Sequence, residues 1–426
     1  MSTLLASASD FSSLEQALDW FINRPSSSID SHSQRALEQL LFVAGERGML
    51  GFVETIQNKL NINLGKVKLP PIISSQVAAP GFSTAENGQV FNIPSDLGEY
   101  QQERLRLMAK VISHKLFGRK IIVNVGIGYI GTANITAAAS ALDEKHNPLY
   151  CVIGYQRPSS HSSWKVNFMN QGLPTITTAD NSLAEKIDSA HRRGNLTATY
   201  LQEQSLSVAD IIFVETELHV RKYSPRAIER SEADPEATLK LIRQIASVMP
   251  AHALLVIEST VYPGFTLHDA LPLVNQTLMQ RGLIKQGQNS NLAYGFHRVK
   301  PGTGFMSSFY KIPRDAGGVT EQAAKTLKSY YDATGIRYQM HHDITTSELM
   351  KDIENASKFG LLDLMSAFMK SAEATGINGF RVIRAIAEAR PDEHGRYIRE
   401  IAGLQVGGYC VPKELGLLIN GLRRHY

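Results

Sequence analysis

The glycines of Gly126-Ile127-Gly128-Tyr129-Ile130-Gly131 are spaced like a loop that cradles a pyrophosphate. The first permits a tight turn, the second lets phosphate oxygens approach the backbone, and the third lets a following helix pack closely on the preceding strand. Residues 121–125 before the loop are apolar and largely β-branched, and 132–142 after it are Ala-rich and helix-forming, so the loop falls between strand and helix. The first amides of such a helix and its dipole face the anion. Dinucleotide binding through Gly126, Gly128, Tyr129, Ile130 and Gly131 is therefore expected. A second strand, 149–155, should end at the residue that meets the adenosine ribose, where an acid would accept from the 2′-hydroxyl of NAD. The sequence instead reads Tyr155-Gln156-Arg157, followed by Ser159 and Ser160. Arg157 with two hydroxyls suits the 2′-phosphate of NADP, whereas Gln156 can still bond an NAD ribose, so the cofactor is NAD or NADP.

Cys410 lies in Gly408-Tyr409-Cys410-Val411-Pro412-Lys413, a turn that can present a thiol beside a cation. A nearby lysine lowers the thiol pKa and raises the nucleophilic thiolate fraction. The alternative is a small buried hydrophobe, which is the reading for Cys151 inside its strand. Lys351 and Asn355 are four apart in a helical stretch and share one face, either as reacting groups or as a solvated pair. His341-His342-Asp343 has no third ligand at metal spacing and reads as a loop at a strand end, so no metal is expected.

These residues need a frame. Apolar runs at 121–125, 149–154, 210–214, 253–258 and 292–296 alternate with helical stretches. That is the signature of a parallel sheet covered on both faces, so an α/β fold with a Rossmann-type doubly wound domain is expected over residues 119–318. Residues 1–118 read as a helical extension and linker, with helical periodicity over 13–64, a Pro, Ser and Gly-rich break over 66–94, and a helix over 95–116. Residues 319–426 read as an all-α domain carrying Lys351 and Cys410, with long apolar-periodic stretches at 345–375 and 380–390. The apolar residues of the first of these exceed what one small helical domain needs to bury.

The 426 residues are 43% hydrophobic and 20% charged with a net charge of +4. This composition is that of a globular protein, and the small charge surplus argues against nucleic acid or a membrane surface as partner. Two cysteines cannot build a disulfide framework, no stretch reaches the roughly 18 apolar residues of a membrane span, and residues 1–10 lack a leader's basic and apolar parts. A cytoplasmic protein acting on a small-molecule substrate is expected.

Taken in order, the motifs resemble those of the UDP-glucose/GDP-mannose dehydrogenase family. After the glycine loop come Glu258-Ser259-Thr260-Val261-Tyr262-Pro263-Gly264, similar to the family's (E/S)STVPPGT, and His297-Arg298-Val299-Lys300-Pro301-Gly302 with Ile312-Pro313-Arg314 and Gly317-Gly318, similar to SPERVxPG and IPRxxGG. Glu348-Leu349-Met350-Lys351 with Asn355 resembles ExxKxxxN, and Gly407-Gly408-Tyr409-Cys410-Val411-Pro412-Lys413-Glu414 resembles GGxCxPKD. The resemblance implies oxidation of a sugar alcohol twice, through an aldehyde and a thioester, the alternatives being a single-hydride alcohol dehydrogenase or reductase and a noncatalytic dinucleotide-binding scaffold. Cys410 would be the nucleophile, Lys351 and Asn355 would hold the developing oxyanion, Thr260 would place a water, and Glu414 would relay its proton. His297 stands where the family has a glutamate and is a different base for the hydrolytic step. The family continues beyond its cysteine motif into a third domain that binds the substrate's nucleotide, whereas Tyr426 follows Glu414 by twelve residues. That difference and the unmatched segment 1–118 imply an unusual substrate or a partner that completes the pocket. The resemblance also implies a homodimer through the long helix, the alternative being a helix central to its own core.

Overall fold

The computed structural model describes residues 81–221, 232–299, 302–389 and 410–425, together with Glu38, Leu41 and Phe42. Most of the segment 1–80, with its expected helices, lies outside them. A short hairpin comes first, strands β1 (Phe82–Thr84) and β2 (Val90–Asn92), and helix α1 (Leu97–Leu116) follows. Asp96 caps α1 by accepting from the Glu99 amide, which fixes its start within two residues of the expected one.

The main sheet is built from β3 (Lys120–Val125), β4 (Tyr150–Tyr155), β5 (Leu196–Thr199), β6 (Ile211–Val214), β9 (Leu254–Ile257), β10 (Leu292–Gly295), β11 (Arg314–Gly318) and β12 (Tyr338–Met340), while β7 (His219–Arg221) and β8 (Glu232–Asp234) form a separate hairpin. The order β12-β11-β10-β9-β6-β3-β4-β5 contains the 3-2-1-4-5-6 arrangement of a doubly wound fold, reading β5-β4-β3-β6-β9-β10. All pairings are parallel except β10 with β11.

The central strands β3, β4, β6, β9 and β10 are mostly apolar because both faces are covered. Ile121, Val123 and Val125 pack with Leu107, Val111 and Ile112 of α1 on one face. Ile122, Val152 and Phe213 pack on the other with Ala133, Ile135 and Ala137 of α2 (Tyr129–Ala139). Each buried Val, Leu, Ile or Phe side chain among these contributes about 1.5–3 kcal/mol.

Two expectations change. The sheet does not end at Gly318: helix α3 (Glu321–Thr334) lies against it and β12 adds a strand, so the sheet runs to Met340 inside the region read as all-α. The stretch 66–94, expected as a break, is not irregular throughout either, since it holds the β1–β2 hairpin with Asn87-Gly88 in its turn. The C-terminal helices α4 (Ile344–Ala374) and α5 (Gly379–Ala389) fall where helical periodicity placed them, whereas α6 (Cys410–His425) begins at the cysteine that was expected on a turn.

Candidate active site

Gly126 follows β3 with φ of +108°, a backbone conformation that glycine alone adopts freely. A Cβ on Gly131 would stand 2.1 Å from the Gly126 carbonyl oxygen, 2.8 Å from Glu215 Oε2 and 2.9 Å from Asn124 Nδ2. A Cβ on Gly128 would meet nothing within 4 Å, which leaves the space a pyrophosphate needs. Helix α2 starts at Tyr129 with no side-chain cap, so its first amides stay available to an anion. The Tyr129 ring lies 4.6 Å from Phe305, and Ile130 is half-buried. These residues fit a dinucleotide.

At the end of β4, Gln156 reaches back to the glycine loop. Its Oε1 accepts from the Ile127 amide at 3.3 Å and its Nε2 donates to Ser162 Oγ at 3.0 Å. Ser159 and Ser162 join their hydroxyls at 2.7 Å, while Arg157 is exposed and makes no ion pair with a described residue. Thus Arg157 faces solvent, whereas the expected cofactor hydroxyl of Ser159 is engaged within its own loop.

The ends of β6, β9 and β10 and the start of β11 bring four ionisable groups together. Ladder bonds continue one residue past the strands, from the Glu215 amide to the Val125 carbonyl and from the Glu258 amide to the Val214 carbonyl, which sets both acids at the same edge as Gly126. His297 Nε2 lies 2.6 Å from Glu258 Oε2 and 3.8 Å from Glu215 Oε1. Arg314 Nη1 donates to Glu258 Oε1 at 2.9 Å. All four are buried, with the Arg314 guanidinium over the Phe309 ring and the imidazole stacked on that ring's plane.

Burial opposes charge on Glu258, but His297 and Arg314 outweigh it and hold its carboxyl at about 2. Burial, followed by the Glu258 charge, raises Glu215 well above the carboxylate range. Burial and Arg314 lower His297 to about 4. Glu258 therefore pairs with Arg314 as the carboxylate, while burial favours the protonated form of Glu215 and the neutral form of His297. Glu215, Glu258 and His297 offer ligand atoms within 4.8 Å of one another, but the guanidinium already supplies the positive charge a cation would bring.

Lys351 and Asn355 are not a solvated pair. Lys351 Nζ donates to the His297 carbonyl at 3.3 Å and lies 5.5 Å from the Phe296 ring, and Asn355 is buried with its Oδ1 accepting from Lys358 at 3.0 Å. Helix α4 is set on this edge by Glu348, which accepts from the amides of Gly264 and Thr266, and by Arg298, which pairs with Glu354 and Asp315 at 2.6 Å each. His341, after β12, bonds Asp315 at 2.7 Å, which is the loop role expected of it.

Thr260 follows β9 and is half-buried on the same edge. Cys410 is the first residue of α6, a helix that packs along α4; its side chain and that of Glu414 lie outside the described ones. Lys413 is buried and reaches Glu217, two residues beyond Glu215, at 3.3 Å, and Gly421 passes so close to Pro263 that a Cβ would stand 2.5 Å from its Cδ. The glycine loop and the 258–264, 297–298, 351–355 and 413 segments thus meet at one end of the sheet. Glu215 was missed from sequence, although it follows its apolar run just as Gly126 follows 121–125. The pairing of Arg314 with Glu258 was missed as well, because only the fold joins residues so far apart.

This architecture and loop define a dinucleotide-binding protein of the doubly wound class. Residues 120–334, half of the chain, match the model of the UDP-glucose/GDP-mannose dehydrogenase family, NAD binding domain, and the chain belongs to that family. It is 28% identical over 308 residues to a UDP-N-acetyl-D-mannosamine dehydrogenase of Pyrococcus horikoshii, covering 72% of this chain and 65% of that protein. A Methanococcus aeolicus protein of the same description is 27% identical over 303 residues, which cover 70% of this chain and 59% of the relative. The chain thus spans under two thirds of these relatives' length. The solved structure of the UDP-D-ManNAc dehydrogenase from Pyrococcus horikoshii has the same fold, with a TM-score of 0.57 at 24% identity over 72% of this chain and 65% of that one. A UDP-glucose dehydrogenase from Pyrobaculum islandicum superposes with a TM-score of 0.54 at 20% identity, covering 72% and 63%. Among the described residues no helix is long and apolar enough to cross a membrane.

Proposed function

We propose that the chain is an NAD(P)-dependent dehydrogenase that oxidises a primary alcohol of a nucleotide-sugar-like substrate, with Lys351, Asn355, Thr260 and Cys410 around the reacting carbon. The observation that carries this reading is the placement of Lys351 Nζ 3.3 Å from the His297 carbonyl, at the strand-end edge where Glu215 lies against the glycine loop. The nicotinamide, when bound, supplies the acceptor for hydride. Lys351 and Asn355 hold the alcohol oxygen as it loses its proton and becomes a carbonyl. The Cys410 thiolate then adds to the aldehyde carbon, loss of a second hydride from that carbon leaves a thioester, and water set by Thr260 and relayed by Glu414 releases the acid and the thiol. The relatives' names place a UDP-linked N-acetylhexosamine among the substrates to try.

A second reading stops at the aldehyde. One observation favours it: His297, which stands where the resemblance has an acid, is neutral and committed to Glu258, so the base for hydrolysis is displaced.

Titration with NAD, NADH, NADP and NADPH, followed by product stoichiometry, separates these. Two reduced cofactors per substrate, falling to one or none in Cys410→Ser, support the thioester route. One reduced cofactor per substrate, unchanged by Cys410→Ser, supports the single oxidation, and binding of none of the four dinucleotides sinks both readings.

A further inference from the structure

We infer that the β1–β2 hairpin, which precedes the family's matched domain, clamps the loop 156–163 and so sets recognition of the substituent on the 2′-oxygen of the adenosine ribose, a 2′-phosphate being the group that loop's charge fits. This rests on the dinucleotide reading proposed above.

Ser83 sits mid-strand in β1 opposite Phe91 of β2 and is fully buried. Its hydroxyl accepts from the Trp164 amide at 3.1 Å and donates to the Ser160 carbonyl at 2.8 Å, so one side chain bridges both ends of the loop's second half. Around it Ala85, Phe91 and Trp164 form a small apolar core, with the Phe168 ring edge-on to Phe91 at 5.5 Å and to Trp164 at 4.9 Å. The outer residues Phe82 and Val90 are exposed, so this hairpin is folded by what it packs against rather than by a core of its own.

Further hydrogen bonds within the loop link it to the glycine loop. The Trp164 indole donates to the His161 carbonyl, the Ser159 amide to Ser163 Oγ at 2.7 Å, and the Ser162 amide to Ser159 Oγ at 3.1 Å. Gln156 then joins Ser162 to the Ile127 amide. The hydroxyls of Ser159, Ser162 and Ser163 are spent on the loop's own shape, which leaves Arg157, Ser160 and His161 exposed as its outward groups. Residues 155–164 contain no carboxylate. A dianionic phosphate on the ribose meets a cation there and nothing that repels it, whereas a bare hydroxyl finds no acid to accept its proton. Specificity of this kind depends on holding the loop still, because an ion pair formed by a wandering arginine is weak.

The test is calorimetric titration of the full chain, wild type and Ser83→Ala, with ADP-ribose and 2′-phospho-ADP-ribose, alongside hydrogen exchange of the Trp164 amide. Wild type should prefer the phosphorylated ligand by about tenfold. Ser83→Ala should bring that preference to within about threefold, with ADP-ribose affinity unchanged and the Trp164 amide exchanging faster. Equal loss on both ligands, or no loss together with faster exchange, overturns the clamp. A wild-type preference for ADP-ribose overturns the 2′-phosphate, and binding of neither ligand overturns the dinucleotide reading and this inference with it.

Discussion

Gly128 and Gly131 belong to one motif three residues apart, yet an added methyl group should act on different properties at the two positions. At Gly131 it would enter the Gly126 carbonyl and the Glu215 carboxyl, neither of which can retreat without moving β3 or the buried charge cluster. Gly131→Ala should therefore lose about 3 kcal/mol of stability or fail to fold. At Gly128 the same methyl meets open space, and φ of −87° suits alanine. Gly128→Ala should stay within about 1 kcal/mol of wild type, while its dinucleotide affinity falls at least about tenfold. Denaturant unfolding and calorimetric titration of both variants read the difference. If Gly128→Ala binds as wild type does, the pyrophosphate lies elsewhere.

Helix α4 is tied to the turn after β9 by one carboxyl, and that tie is pH-dependent. Burial raises Glu348 to about 7, against the pull of the Thr266 and Gly264 amides that it accepts from. Between about pH 4.5 and 7 the folded protein holds a proton that the unfolded chain has released, so stability falls as pH rises through this window. The contribution, on the order of 3 kcal/mol at most, is fully present below the unfolded pKa. Glu348→Gln should be less stable at acidic pH, because its amide nitrogen faces a backbone N–H, and should lose this part of the slope when unfolding is followed from pH 5 to 8. An identical slope in both proteins would place the titration elsewhere. The same scale explains what could be read from sequence. The central strands β3, β4, β6, β9 and β10 show as apolar runs because helices cover both faces. The strand β5, Leu-Thr-Ala-Thr, and β12, Tyr-Gln-Met, are the sheet's edges and carry too few apolar residues to stand out. Between β10 and β12, β11 reads Arg-Asp-Ala-Gly-Gly, and its first two residues are buried only because Glu258 and His341 meet them. The glycine loop was legible from local spacing, whereas the Glu215, Glu258, His297 and Arg314 cluster needed strand order.

Over the whole molecule, α4 presents two faces of different character. One carries the buried Glu348, Asp352, Asn355, Met365 and Met369. The other carries Ile353, Leu364 and Phe368, each about half exposed, and with Ser357 and Gly360 these fall at steps of three and four along one line. The rise of 1.5 Å per residue from Ile353 to Phe368 makes this stripe about 22 Å long, and Ile377 and Val382 beyond the helix add exposed apolar surface. The two small residues at its middle let another helix approach closely. No described residue of the same chain covers these side chains, so we propose that the stripe packs on its own copy in a second chain related by a two-fold axis, which closes the interface without leaving a free end. A stable pairing of this kind needs roughly 1,200–2,000 Å², within reach of a helix of this length together with its neighbour. Light scattering at micromolar concentration should give twice the chain mass. Phe368→Glu, which puts an unpaired charge into the apolar seam, should give the chain mass with dinucleotide affinity unchanged. A wild-type monomer would overturn the pairing, and a Phe368→Glu protein that stays dimeric would move the interface off this stripe.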